Sequence, residues 1–108
     1  MESNLSKIPR IFRVSEIAIS DYGRITLQPW EMISLQITPG RECDITATPW
    51  GFYLGGSVNG RMKNHNLRVA IVRNPQGKLF VNAVESDKLS AFQEYIAVQG
   101  SLVIQWLE

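Results

Sequence analysis

Cysteine and histidine occur once each in the 108 residues, as Cys43 and His65. A single cysteine can form neither an intramolecular disulfide nor a cysteine-rich metal site. A single histidine excludes metal centres built on two or three imidazoles. A mixed site of His65 with carboxylates has no ligand spacing to support it. No apolar run approaches the roughly eighteen residues of a membrane-spanning helix. Met1 to Ile19 alternates polar and apolar residues without the apolar segment of a signal peptide. Asn4-Leu5-Ser6 matches a glycosylation acceptor, which means little without secretion. The expected setting is therefore cytoplasmic, with no membrane contact, no cofactor and no metal.

Acidic residues are missing from one long stretch. Ile45 to Val84, forty consecutive residues, contains no Asp or Glu, yet carries Arg61, Lys63, Arg68, Arg73 and Lys78. Six acids lie at or before Asp44, and Glu85, Asp87, Glu94 and Glu108 lie near the end of the chain. The chain is polarised locally although its net charge is only +1, and a polarised surface attracts partners of opposite sign. A pI near 7.9 falls short of the strongly basic balance of a dedicated nucleic-acid binder. Charged and apolar fractions of 19% and 44% are those of a folded chain. The length suits one domain over 1–108, with residues 1–9 a candidate for disorder.

Turn signals recur at short intervals, as in a succession of strands. Asp21-Tyr22-Gly23 is one. Thr38-Pro39-Gly40 suits a type II turn, Asn59-Gly60 a tight hairpin, and Asn74-Pro75-Gln76-Gly77 a type I turn. Between them apolar residues alternate. Ile33, Leu35 and Ile37 share a face expected to be half buried, and Ile25 and Leu27 repeat the pattern briefly. Leu67, Val69 and Ile71 line one strand, Leu79, Val81 and Ala83 the next, giving a hairpin around Asn74–Gly77. Phe12 and Val14 differ in parity from Ile17 and Ile19, so a bulge near Ser15 or Glu16 would put them on one side.

The segment after Ser86 has a different period. Ser86-Asp87 offers an N-cap, Leu89, Phe92 and Ile96 follow at helical spacing, and Gly100 supplies a stop. Ser90 and Gln93 form an alternative capping box. In the closing strand both faces are apolar, Leu102, Ile104 and Trp106 against Val103 and Leu107. Such a strand is central in its sheet, covered by the helix, or buried in a subunit contact. The expected fold is mainly β (α+β): a strongly bent antiparallel sheet or small β-barrel of six to seven strands, one helix near the C-terminus, and a closing strand. Pro29-Trp30 and Pro49-Trp50 do not make a repeat, because no third unit follows.

Few residues suggest chemistry. His65 lies in Asn64-His65-Asn66, which reads as a solvated loop. Cys43 with His65 could in principle be nucleophile and base, but Glu42 and Asp44 beside the thiol disfavour thiolate. No G-x-S-x-G elbow is present. Gly55-Gly56-Ser57-Val58-Asn59-Gly60-Arg61 lacks the ending of a nucleotide-binding loop and reads as a bulge with a hairpin turn. Trp50, Phe52 and Tyr53 ahead of the basic residues have the ingredients of a stacking platform for unpaired bases. Large aromatics also dominate small cores, so the cluster reads first as core. Arg73 and Lys78 flank a turn and would face each other in a tight hairpin.

The function expected is non-catalytic: a binding or assembly module whose basic region, Arg61, Lys63, Arg68, Arg73 and Lys78 with Trp50 and Tyr53, contacts an acidic partner surface. The acid-bearing Glu85–Glu108 region of another copy is one such surface. The alternative is single-stranded nucleic-acid binding through the aromatic and basic residues. A small hydrolase using Cys43 and His65 stands third.

Overall fold

A computed structural model describes all of residues 1–108. The chain is mainly β, with its strands in three antiparallel sheets that do not close into a barrel. The first sheet is a two-stranded arm, β1 (Glu2–Val14) against β2 (Ile17–Thr26). The expected bulge at Ser15 is instead the arm's tip. Val14 pairs with Ile17 and Phe12 with Ile19, and Ser15 turns the chain at φ 57°. The parity break thus marks a two-residue turn, and the four apolar residues still share one face. The irregularity lies lower, where the register shifts between Leu5 and Arg10 opposite Gly23 and Asp21. Asp21-Tyr22-Gly23 is therefore the short side of a bulge inside the arm, held by a Gly23 N–H to Asp21 Oδ1 bond of 3.0 Å.

The second sheet has the order β3 (Met32–Gln36), β4 (Glu42–Thr48), β5 (Gly51–Leu54). Its first turn is the type II turn expected from Thr38-Pro39-Gly40. Arg41 N–H donates to Thr38 O at 3.0 Å, and Gly40 takes φ 82°, a conformation that costs glycine nothing. Asn59-Gly60 does not make a hairpin. Gly60 precedes a single helical turn, α1 (Arg61–Asn64), whose start is held by Arg61 N–H to Ser57 Oγ at 2.9 Å.

The third sheet has the order β7 (Leu79–Glu85), β6 (Leu67–Arg73), β8 (Leu102–Leu107). The β6–β7 turn is type I in its bonding, with Gly77 N–H donating to Asn74 O at 3.0 Å. The register pairs Arg73 with Leu79, so Arg73 and Lys78 are not the cross-strand pair expected. After a 3-10 turn (Ser86–Lys88), α2 (Leu89–Val98) covers one side of this sheet. The Ser86-Asp87 cap is not made, and Ser86 donates through N–H and Oγ to Asn66 O instead. At the other end Gly100 N–H reaches Ala97 O and Ser101 N–H reaches Ile96 O, the paired bonds of a Schellman stop, with Gly100 at φ 69°.

The core is small and split. Ala70, Val72 and Ile96 form one cluster with Phe92, Val103 and Trp106 packed on it; Met62, Leu67 and Val69 form the other with Cys43, Val58 and Leu107. β6 is thus apolar on both faces and central. β8 is an edge strand with one face under α2. A bulge leaves Ile104 unpaired, which turns Val103 and Trp106 to the helix side together. Only eleven residues are buried. Leu35 and Ile37, expected on a half-buried face, are exposed, and so are Leu79 and Val81 on β7. The radius of gyration, 15.3 Å, exceeds the roughly 13 Å of a compact chain this long.

Candidate functional site

The aromatic cluster is not core. Trp50, Phe52 and Tyr53 are 67%, 60% and 51% exposed. Pro49-Trp50 forms the turn from β4 to β5, where Trp50 N–H donates to Thr48 Oγ1 at 3.3 Å. The Trp50 and Tyr53 rings meet edge to face, centroids 5.2 Å apart and planes at 87°. Tyr53 pairs with Thr46 and Phe52 with Ala47, so the two rings take opposite faces of the sheet.

The five basic residues do not form one free face. Arg61, although exposed, is paired with acids that precede the acid-free stretch. Its Nε donates to Asp44 Oδ2 at 2.8 Å, and its Nη2 reaches Glu42 Oε2 at 3.3 Å. Ser34 Oγ adds a 2.7 Å bond to Asp44 Oδ1. These donors, Arg61 foremost and Ser34 next, hold the buried Asp44 carboxyl below the usual carboxylate range. The group ties β3 and β4 to α1, and so binds the second sheet to the third. Arg41 adds a second tie, 3.3 Å from both Glu85 and Asp87.

Arg68 lies on β6 with its guanidinium 4.2 Å from the centroid of the Trp106 ring, and its Nε donates to Glu108 Oε1 at 2.7 Å. Lys63, Arg73 and Lys78 form no ion pair. Lys63 shares with Arg68 a shallow cleft of about 380 Å³, which Asn59, Asn66, Ser86 and Glu108 also line. Arg73 and Lys78 stand exposed beside the β6–β7 turn, on a different sheet from Trp50 and Tyr53. The acids of Glu85–Glu108 are largely occupied too. Glu85 and Asp87 hold Arg41, Glu108 holds Arg68, and Glu94 on α2 is outside these pairs.

Cys43 and His65 are not joined as nucleophile and base. His65 is half-buried rather than free in a loop, because its Nδ1 accepts the Glu42 N–H at 3.2 Å. Cys43 packs on the Met62, Leu67, Val69 cluster. Burial, and then the Asp44 charge, push its thiol pKa up, away from the reactive thiolate. No group of three or more His, Cys, Asp or Glu side chains is arranged so that it could hold a metal ion. No helix is long and apolar enough to cross a membrane.

Sequence reasoning missed the apolar face of the second sheet. Cross-strand partners share a face, and here Ile33, Ile45 and Leu54 align, as do Leu35 with Cys43 and Ala47 with Phe52. All seven are apolar. The opposite face carries Ser34, Gln36, Glu42, Asp44, Thr46 and Thr48. The alternation of Ile33 and Leu35 was the available signal. What could not be read was that Leu35, Phe52 and Leu54 on this face stay exposed. Comparison with protein families, with curated proteins and with solved structures finds no match to this chain.

Proposed function

We propose that this chain is a non-catalytic binding and assembly module. The observation that carries the reading is the imbalance of its apolar surface. Twenty-four large hydrophobic side chains are exposed, while eight apolar residues are buried. Single exposed apolar residues are ordinary, but contiguous apolar faces mark contacts with other molecules. The β1–β2 arm is also too small to be stable alone, since two strands need a further layer or strand. The open basic groups, Lys63, Arg73 and Lys78, add a sign preference: the β6–β7 turn suits an acidic partner surface.

Single-stranded nucleic acid has weaker support. The exposed Trp50–Tyr53 pair offers aromatic surface, but Arg73 and Lys78 lie on another sheet and Arg61 and Arg68 are already paired. Stacking platforms need both kinds of residue along one groove. A test of the assembly reading is capture of a defined acidic polymer, poly-glutamate, with poly-lysine as control. Retention of poly-glutamate alone is expected. Equal retention of both polymers, or of neither, would remove the acidic-partner assignment. A raised 260 nm absorbance in the freshly purified protein would favour the nucleic-acid reading instead.

A further inference from the structure

The second sheet is only partly covered on its apolar face. On that face Cys43 packs on the Met62, Leu67, Val69 cluster, Ala47 is buried and Ile33 and Ile45 are half-buried, while Leu35, Phe52 and Leu54 stand open. Leu35 is 52% exposed and Leu54 65%, and Ile37 continues the face past the end of β3. Sheets with one wholly apolar face are stable when that face packs on another layer about 10 Å away. In this chain the third sheet reaches that face at Cys43, through the cluster that holds Leu67 and Val69 of β6, and leaves Leu35, Phe52 and Leu54 exposed.

We propose that a second copy supplies the layer, with the two β3–β4–β5 faces packed against each other about a two-fold axis as a small sandwich. The inference rests on the assembly reading above and names the surface and the partner. Charge chooses the occupant. In a two-fold contact a patch meets itself, so any charge near its centre faces its like. This face carries none. The opposite face of the same sheet carries Glu42 and Asp44, and the β6–β7 turn carries Arg73 and Lys78; both would repel their own copies. Of the exposed surfaces on the second and third sheets, the apolar face is thus the self-compatible one. Three strands at about 4.8 Å spacing and about 3.3 Å per residue make a face of roughly 15 by 20 Å. That is below the roughly 800 Å² per partner of a standard stable interface, so the dimer is reversible and concentration-dependent.

The experiment is sedimentation velocity over a concentration series on wild type and on Leu35→Lys/Phe52→Lys, with circular dichroism to show that the variant keeps its strands. The wild-type mass should rise from 12.2 kDa towards twice that value, and the variant should stay at 12.2 kDa. A second readout needs no charge in the face: maleimide labelling of Phe52→Cys in a Cys43→Ser background. Labelling should slow several-fold as concentration rises through the dimerisation range. Wild type that stays monomeric, with labelling independent of concentration, overturns the proposal while assembly with an acidic partner stands. If both wild type and the charged variant dimerise, and labelling is again unaffected, the copies meet elsewhere. That outcome also overturns this face but leaves the assembly reading intact.

Discussion

Asp44 has a role its neighbours in sequence do not announce. It is buried on the polar side of β4, and its carboxylate accepts from Arg61 and Ser34. Its folded pKa is depressed, so its contribution to stability is present above the ordinary carboxylate value of about 3.9 and lost as pH falls through the folded value. Asp21 and Glu31 are shifted in the same direction, by Gly23 N–H with Arg10 and by Gln28 N–H respectively, so acid should weaken the protein at several points. The difference between wild type and Asp44→Asn isolates the buried group. Urea midpoints should show the variant less stable near neutral pH, with the gap closing below about pH 4. A gap independent of pH would mean the carboxylate charge is not what Arg61 binds. Cys43 gives a second test. Because its thiol is half-buried with a raised pKa, Cys43→Ser should leave partner binding unchanged and lower stability modestly, by about 1 kcal/mol. A folded Cys43→Ser protein that no longer binds would reinstate the thiol as functional.

Helix α2 is anchored by one apolar row and one stop. Phe92 meets the Trp106 ring at 6.0 Å, and Ile96 is buried against Ala70 and Val72. Phe92 is only half-buried, so Phe92→Ala should cost towards the lower end of the about 3–5 kcal/mol typical of large aromatic truncations. Ile96→Ala should cost a similar amount, about 2–5 kcal/mol. Thermal melts that leave either variant unchanged would mean the helix does not close the core. Gly100→Ala should also destabilise, since its φ of 69° disfavours a side chain and a Cβ would sit 3.2 Å from Pro75. These features were legible in the sequence because they are local. The period of Leu89, Phe92 and Ile96, the Pro39-Gly40 turn and the Asn74–Gly77 turn depend on residues within a few positions. The misread elements depend on distant partners. Ser86 gave up its cap to bond Asn66 O, and the parity break at Ser15 was a turn because the next strand folds back there. Ile104 bulges because β6 fixes the register on both sides of it.

Across the whole molecule, the basic stretch is legible as composition but not as a surface. Five cations without a nearby acid in sequence look unpaired. In three dimensions Glu42, Asp44 and Glu108, all outside the stretch, neutralise Arg61 and Arg68. What survives is narrower: Arg73 and Lys78 at the exposed β6–β7 turn, with Lys63 at the cleft beside α1. A partner held by that turn must be anionic. Exposed charges are screened over about 8 Å at physiological salt, so such binding should weaken as salt rises. For nucleic acid the fall is steep, because each phosphate contact releases a counterion. For an acidic protein surface it should be shallower and lie mainly in the association rate, since apolar contacts persist. The measurement is affinity across a salt series for wild type and for Arg73→Glu/Lys78→Glu. The double reversal should slow association and invert the salt dependence, because salt then screens a repulsion, while self-association through the apolar face is unchanged. Because Arg73 pairs with Leu79 and both cations point into water, the reversal should not disturb the fold. Affinity indifferent to both salt and the reversal would make the turn a merely solvated loop, and would leave the uncovered apolar surface as the only feature through which this chain recognises a partner.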